Sequence, residues 1–374
     1  MTCAGDVLKA LRFVKKNAVF CIAALAAVTT CFLVPPDKAY FEYFDWKTLS
    51  CLFLTLAVVC ALRNIMFFTI LARKLVNLAG NLRSLFLLLI VITFIGSMII
   101  ANDMALITFL PLGYFALSVT KKEKYMAYLF VLQNISANLG GMLTPFGNPQ
   151  NLYLYSYFNI PTGEFCKIML PSFLLAVLLL ALACIPVKPI KFTLCEKFPE
   201  KLNVKKTVLY CALFLLSILI VFRVIPFIAG LIIIPAALFF VDKNALKMVD
   251  YSLLGTFFFF FIFAGNMARL DAVNTLISSL LEKDTLIVST LSCQFISNVP
   301  SAILLSRFTT DYTSLLLGVN IGGTGTLIAS LASLITFNEF RLLHPEQTKK
   351  YLCIFTALNA VFLIILTAAA KLTA

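Results

Sequence analysis

The sequence has little charge for its length. Of its 374 residues 13% are Asp, Glu, Lys or Arg and 61% are hydrophobic, whereas a soluble domain carries about 25% charged residues. Apolar runs without charge, such as 18–34, 168–187 and 352–370, recur along the chain, and each is long enough for a membrane-spanning helix. The composition excludes a soluble enzyme, a disordered protein and a nucleic-acid-binding module. It predicts an all-α polytopic membrane protein.

Signatures of catalysis are also absent from the sequence. It contains one histidine, His344, in a predicted loop, and its 11 cysteines form no CxxC pair. Neither an HExxH motif nor a cluster of metal ligands lies in an apolar run. We therefore expect a protein that is not an enzyme and that needs no cofactor beyond a coupling ion.

The net charge of +13 is distributed unevenly between the two sides of the predicted membrane. With spans assigned by hydropathy, one side holds most of the Lys and Arg, and the other is balanced in sign. The basic side comprises 1–17, 63–83, 121–124, 188–206, 242–250 and 338–351. The positive-inside rule makes that side cytoplasmic, which predicts a plasma-membrane protein with a cytoplasmic N-terminus and a first span retained as a signal anchor.

Two polar tips interrupt apolar runs at corresponding places in the two halves of the chain. The first tip, 101–103, has basic residues before and after its flanking runs, so both ends of the segment lie on the cytoplasmic side. A re-entrant hairpin and two full spans both satisfy this pattern, and the shortness of the polar break favours the hairpin. The second tip, 297–300, has flanks balanced in sign, so its hairpin enters from the opposite face. The pattern predicts nine full spans and two hairpins.

An internal repeat accompanies the two hairpins. The pattern N-[LI]-G-G-x-x-T occurs at 138–144 and again at 320–326, each time downstream of a tip and within an apolar segment. We interpret the two units as inverted repeats with interrupted helices, which is the arrangement of a secondary transporter with a midplane site. The predicted organisation is an anchor span and loop (1–48), repeat 1 (49–151, broken helix 138–151), connecting spans with a basic loop (152–250, loop 188–206), repeat 2 (251–335, broken helix 320–333) and a C-terminal span (336–374).

The interruptions carry suitable chemistry for an ion or a small solute. Glycine pairs let the backbone unwind or approach a ligand. Pro145 and Pro149 remove backbone donors and free carbonyls one turn earlier, and such carbonyls, with Asn and Thr oxygens, suit a hard cation such as sodium. Helix N-termini beyond each break attract anions. Glycines are also ordinary helix-packing residues in membranes, but the duplication with Asn and Thr favours function. The candidate binding residues are Asn102, Asp103, Asn138, Gly140, Gly141, Thr144, Asn148, Asn151, Ser297, Asn298, Asn320, Gly322, Gly323 and Thr326.

Asp103 is the one acidic residue that no predicted loop contains. A carboxylate at membrane depth is costly, which makes it a candidate functional residue. Two interpretations remain open from the sequence. Asp103 could cap the second arm of its hairpin, or it could bind a proton or cation during transport.

Four stretches together resemble the ion transporter superfamily, which includes citrate and divalent-anion/sodium symporters, arsenite permeases and sodium/proton antiporters. They are ANDMALITFLP (101–111), NLGGMLTPFGNPQN (138–151), ISNVPSAILLS (296–306) and GVNIGGTGTLIASLAS (318–333). The resemblance implies two inverted repeats with re-entrant hairpins, a homodimer and elevator-type alternating access. It also implies sodium near Asn102, Gly141, Asn298 and Gly323. The second tip has Val299 where the dicarboxylate branch has Thr, and the acidic first tip is more similar to the arsenite and antiporter branches.

The sequence thus favours a secondary active transporter that moves a small, anionic, citrate- or dicarboxylate-like solute with sodium or protons. A sodium/proton antiporter and an arsenite extrusion permease, each using Asp103, are the alternatives. The partners expected are a small-molecule or ion substrate and the lipid bilayer, and no nucleic acid.

Overall fold

A computed structural model describes residue 14 and residues 17–192 and 202–373. The basic N-terminal residues and part of the predicted basic loop 188–206 lie outside the described residues. The described part is helical, as the sequence predicts. Its helices are α1 (Ala18–Leu33), α2 (Trp46–Asn64), α3 (Phe67–Val76), α4 (Leu82–Ile100), α5 (Asn102–Val119), α6 (Met126–Gly140), α7 (Pro149–Tyr157), α8 (Thr162–Cys184), α9 (Val204–Val221), α10 (Phe227–Val241), α11 (Lys243–Lys247), α12 (Tyr251–Ala268), α13 (Asp271–Ile296), α14 (Asn298–Leu305), α15 (Tyr312–Ile321), α16 (Leu331–Leu343) and α17 (Thr348–Thr373).

Within the described residues, seven helices are long and apolar enough to cross a membrane: α2, α4, α5, α8, α9, α12 and α17 with the turn before it. Helices α1, α10 and α15 are apolar but shorter. The nine predicted spans correspond in position to α1, α2, α6–α7, α8, α9, α10, α12, α15–α16 and α17. The polytopic all-α class is confirmed, and two of the spans are interrupted helices, as the glycine motifs predict.

Side-chain caps fix where several helices begin. Asp45, Asp250 and Asp311 precede α2, α12 and α15, and each accepts a hydrogen bond from a backbone N–H of the first turn. Helix α13 contains a break of the same kind, because Asp284 has extended φ/ψ angles of −167° and 91° and accepts from the N–H of Ile287 at 3.1 Å. Such caps satisfy donors that a helix start leaves free, so α13 consists of two helices joined at Asp284.

Hydrogen bonds between loops divide the loops into the two groups that the charge distribution predicts. On one side Asn64 donates to Asp242, the N–H of Leu82 donates to the carbonyl of Ile190, and Lys350 donates to the carbonyl of Lys124. These segments all belong to the basic group.

On the other side Arg269 pairs with Asp37 at 2.7 Å, and Tyr312 donates to Glu164. The Arg269 guanidinium holds the pKa of the Asp37 carboxyl below its usual value. None of these contacts joins a segment of one group to a segment of the other. Which group faces the cytoplasm stays a prediction.

The two hairpins have arms of different length. Helices α4 and α5 have 19 and 18 residues, whereas α14 has 8. At 1.5 Å per residue the first pair is long enough for two full spans, so length leaves both interpretations open. The predicted repeat boundaries at 49, 151 and 335 fall inside α2, α7 and α16. The ends at 151 and 335 do so because the glycine motif marks the break within each long helix and not its end.

Candidate functional site

The first hairpin turns at Ala101, whose φ of 68° lies in the left-handed region. The next residue, Asn102, is buried and begins α5. Its Oδ1 accepts the N–H of Asp103 at 2.9 Å, and its Nδ2 donates to Oδ1 of Asn138 at 3.3 Å. The tip therefore lies in the protein interior beside the end of α6. Whether this segment is re-entrant or forms two full spans stays a prediction.

The first broken helix ends at Gly140 and resumes at Pro149 after a short 3₁₀ turn. Asn151 reaches back into the gap: its Nδ2 donates to the carbonyls of Gly141 at 3.1 Å, Met142 at 3.2 Å and Thr144 at 3.4 Å. The sequence predicts that carbonyls freed by the break bind a cation. In the structure these three accept from Asn151, whose amide holds the break in shape.

The second half repeats this geometry. Its hairpin turns at Ser297 with φ of 74°, and Oδ1 of Asn298 accepts the N–H of Val299 at 2.9 Å. The N–H of Asn298 donates to the carbonyl of Ala329 at 2.9 Å, so this tip also lies beside a break, between α15 and α16. Ser330 caps α16.

The two halves meet through reciprocal contacts between their motifs. Ser330 of the second break donates to Oδ1 of Asn138 at 2.7 Å, and Asn148 of the first break donates to Oδ1 of Asn320 at 3.4 Å. Asn320 in turn donates to Oδ1 of Asn151 at 2.6 Å. The N-termini of α5, α7, α14 and α16 converge on this buried amide cluster, which the sequence-predicted residues Asn102, Asn138, Asn148, Asn151 and Asn320 form.

One glycine of each pair packs against a helix, and the other faces an amide side chain. A Cβ on Gly140 would lie 2.3 Å from the carbonyl oxygen of Phe94, and one on Gly322 would lie 2.9 Å from Sγ of Cys293. These two glycines let each broken helix pack tightly against the first arm of its own hairpin. Gly141 and Gly323 instead face amides, because a Cβ there would lie 2.4 Å from Oδ1 of Asn148 and 3.1 Å from Nδ2 of Asn298.

The hydroxyls of Thr144 and Thr326 bond to hairpin carbonyls and not to the amide cluster. The hydroxyl of Thr144 donates to the carbonyl of Met98 at 2.8 Å, and that of Thr326 donates to the carbonyl of Gln294 at 3.0 Å. Each threonine thus ties its break to the hairpin arm just before the tip. Thr326 is exposed. Sodium near Asn102, Gly141, Asn298 and Gly323 stays a prediction.

Asp103 lines a cavity of about 70 Å³ between α2, the first hairpin tip, the first break and the start of α12. Its Oδ1 is buried and has no hydrogen-bond partner among the described residues, and α5 has no side-chain cap. The capping interpretation of Asp103 is therefore not supported. Asp250, predicted to lie in a loop, lines the same cavity. None of the described residues lining this cavity is Lys, Arg or His.

Sequence reasoning missed three polar residues of this region. Gln150 and Ser330 join the amide cluster, since Gln150 donates to Oδ1 of Asn320 at 3.5 Å and Ser330 contacts Asn138. Both lie within the stretches that carry the family resemblance, 138–151 and 318–333, and that resemblance is a signal by which they could have been found. Asp250 was missed because it ends a charged loop, and only its position before an apolar run indicates a helix cap.

Comparison with known proteins identifies the family. Residues 7–311 match the family described as citrate transporter, CitMHS. The chain belongs to the citrate transporter family. It is 33% identical over 339 residues to "Uncharacterized transporter MJ0456" of Methanocaldococcus jannaschii, covering 89% of this chain and 91% of that protein. Together with the apolar helices, these matches make the protein a multi-pass membrane transporter.

Two further proteins are similar to this citrate transporter family member. "Inner membrane protein YbiR" of Escherichia coli is 28% identical over 335 residues, which cover 87% of this chain and 88% of that protein. "Silicon efflux transporter LSI3" of Oryza sativa subsp. japonica is 33% identical over 147 residues, 39% of this chain and 28% of that protein. Two of the three relatives are named as transporters, and none is named as an enzyme.

Proposed function

We propose that the protein is a secondary active transporter that moves a small polar solute, uncharged at neutral pH, and couples this movement to a cation or proton at Asp103. The observation that carries the proposal is the cavity. Two carboxylates, Asp103 and Asp250, line it, and its described lining contains no basic side chain. An anion would be repelled there, because Coulomb interactions are strong where water is scarce.

The unpartnered atoms of the amide cluster support a hydroxylated solute. Nδ2 of Asn138 and the side-chain oxygens of Asn148 and Gln150 are buried without hydrogen-bond partners in the described chain. Buried polar groups are normally paired, so these atoms can give one donor and two acceptors to a ligand. A neutral hydroxylated molecule such as arsenous or silicic acid can both donate and accept. The silicon named for the rice relative makes silicic acid worth testing.

An anionic, citrate- or dicarboxylate-like solute is the second candidate. The family description names citrate, and four helix N-termini, those of α5, α7, α14 and α16, converge on the amide cluster. Helix N-termini carry partial positive charge and free N–H groups. In this case a cation at Asp103 would have to arrive with the anion to offset the repulsion, which would couple the two.

The proposed setting follows from the charge distribution and the repeated breaks. The protein would lie in the plasma membrane with its N-terminus in the cytoplasm, because the basic segments share one side. The paired hairpins and broken helices would act by alternating access. A homodimer and a re-entrant entry of both hairpins belong to the same proposal.

The test is an uptake panel with the purified full-length protein in proteoliposomes. Arsenite, silicic acid, citrate and succinate are each offered with and without an imposed sodium or proton gradient, and protein-free vesicles are the control. The proposal expects gradient-driven accumulation of an uncharged solute. Accumulation of citrate or succinate alone would favour the second candidate. Exchange of sodium for protons without any solute would make the protein an antiporter, and no gradient response at all would overturn the proposal.

A further inference from the structure

We propose that Arg223 and Arg307 are positioning residues that fasten the two hairpin–break units, α4–α7 and α13–α16, to the rest of the protein at one surface. The remaining helices include a frame of α1, α2 and α9–α12, in which α1 packs against α12, and α9, α10 and α11 pack against α2. The inference rests on the proposed function, since a protein that alternates between two conformations needs a fastening that can open.

Arg223 occupies a backbone position where glycine is the usual residue. It follows α9 and has a φ of 65°. The N–H groups of Arg223 and Val224 donate to the carbonyls of Ile220 at 3.0 Å and Leu219 at 2.9 Å, which is the Schellman motif, whose left-handed residue is most often glycine. Because a side chain at positive φ is strained, Arg223 carries a cost that glycine would avoid.

The side chain of Arg223 reaches the end of α7, in the first hairpin–break unit. Its Nη2 donates to the carbonyl of Tyr155 at 2.5 Å, and its guanidinium carbon lies 4.3 Å from the centre of the Tyr155 ring. A cation is favourable near the C-terminus of a helix and over an aromatic ring. These contacts offset the backbone strain and join the loop between α9 and α10 to the first unit.

Arg307 makes a corresponding contact from the second unit. It lies just beyond the end of α14, and its Nη2 donates to the carbonyl of Tyr43 at 2.5 Å, in the loop between α1 and α2. Its guanidinium carbon also lies 5.2 Å from the centre of the Tyr157 ring, on α7. Arg307 therefore joins the second unit to the frame, and both arginines hold the end of α7.

The chemistry of both contacts suits a fastening that is released in each cycle. The acceptors are neutral backbone carbonyls, and Nε of Arg223 and Nε of Arg307 are buried without a hydrogen-bond partner in the described chain. Opening the contacts would let water reach these nitrogens, and buried polar groups without partners gain from hydration. The contacts therefore hold one conformation without making it permanent.

The fastening and the cavity lie toward opposite groups of loops. The hydroxyl of Tyr43 accepts from Arg269, which pairs with Asp37 in the group that is not basic. The cavity extends to Asp250, which ends the basic segment 242–250. The structure thus has its cavity toward the basic loops and both units fastened at the other surface. Loss of the fastening should shift the population toward a conformation that opens at that surface.

The experiment measures a distance between the frame and the second unit of the full-length protein in liposomes. Spin labels are attached at Phe41→Cys, near Tyr43, and at Thr310→Cys, near Arg307, after the native cysteines are replaced, and both positions are exposed. The test variant is Arg223→Gly, in a different loop. We expect its ratio of long to short distances to rise by about threefold or more. Its thermal midpoint should change little, because relief of strain offsets the lost contact.

Asn159→Gly is the matched control. Asn159 is the left-handed residue after α7, with φ of 52°, and it is exposed, so the variant relieves the same kind of strain without removing an arginine. It should leave the distances unchanged. Arg307→Gln, which removes the second guanidinium, should lengthen the distance as Arg223→Gly does.

Unchanged distances in either arginine variant would overturn the inference, as would an equal shift in Asn159→Gly. A lower thermal midpoint of Arg223→Gly with unchanged distances would make Arg223 a structural residue only. The uptake panel on the wild-type protein separates this result from the proposed function. Gradient-driven transport with unchanged distances in the variants removes the fastening and keeps the proposed function. A shift of the distances without transport of any solute or ion overturns the proposed function and keeps the fastening.

Discussion

The two hairpin–break units are built by the same contacts and differ in their chemistry. In both, a residue with positive φ (Ala101 or Ser297) precedes an Asn whose Oδ1 accepts the next N–H. In both, the motif Thr donates to a carbonyl three residues before the turn. The shared contacts explain why the motif keeps Asn, Gly and Thr at the same spacing in each half.

The difference lies at the residue after each tip Asn. The first unit has Asp103 there, and the second has Val299. Unpartnered polar atoms also concentrate on the first side, at Asn138, Asn148 and Gln150, whereas both side-chain atoms of Asn320 are bonded. The proposed ligand-binding atoms therefore belong mainly to the first unit.

The largest effects are expected at Asn320 and Asn138. Asn320→Ala leaves Oδ1 of Asn151, now bonded at 2.6 Å, buried without a donor, and Asn138→Ala removes the acceptor of Ser330 at 2.7 Å and of Asn102 at 3.3 Å. An orphaned buried polar group costs about 1–3 kcal/mol, so both variants should lower the thermal midpoint by similar amounts. Because Nδ2 of Asn138 is also unpartnered in the described chain, we expect solute or ion affinity to fall more for Asn138→Ala. Equal losses of affinity in the two variants would remove the proposed division between the units.

A smaller difference is expected for the motif threonines. Thr144→Val and Thr326→Val each delete one hydrogen bond, worth about 1 kcal/mol when buried. Thr144 is half-buried and Thr326 is exposed, so unfolding measurements should give the larger loss for Thr144→Val. Transport per folded molecule should stay near wild type in both variants. A transport defect in Thr326→Val without a stability loss would mean that this hydroxyl contacts the solute.

The smallest effect is expected outside both units, at the exposed pair of Asp37 and Arg269. Because Arg269 lowers the pKa of the Asp37 carboxyl, the pair contributes at pH 7 and loses its contribution as the pH falls through that lowered pKa. Thermal midpoints of Asp37→Asn and wild type should differ slightly at pH 7 and converge in acid. A difference that grows in acid would contradict this assignment of the charges.

Much of this arrangement could be predicted from the sequence. The apolar runs and basic segments were sufficient for the helical class and the grouping of loops, and the repeated motif located both breaks. Asp250 could not be found in this way, because hydropathy places a capping Asp in the loop that it ends. The pairing of Ser330 with Asn138 joins residues from opposite halves, and a local pattern holds no information on such contacts. The hydrogen bonds of Asn151 across the first break could not be predicted for the same reason.

The central claim, that the first unit holds the coupling residue, is tested most directly by Asp103→Asn and its matched variant Val299→Asn in proteoliposomes. Both substitutions place the same amide after a tip Asn, and only one removes a charge. The account predicts that Asp103→Asn still exchanges solute but loses gradient-driven accumulation by about tenfold or more, while Val299→Asn keeps both activities. Full gradient-dependent accumulation in Asp103→Asn would contradict the account.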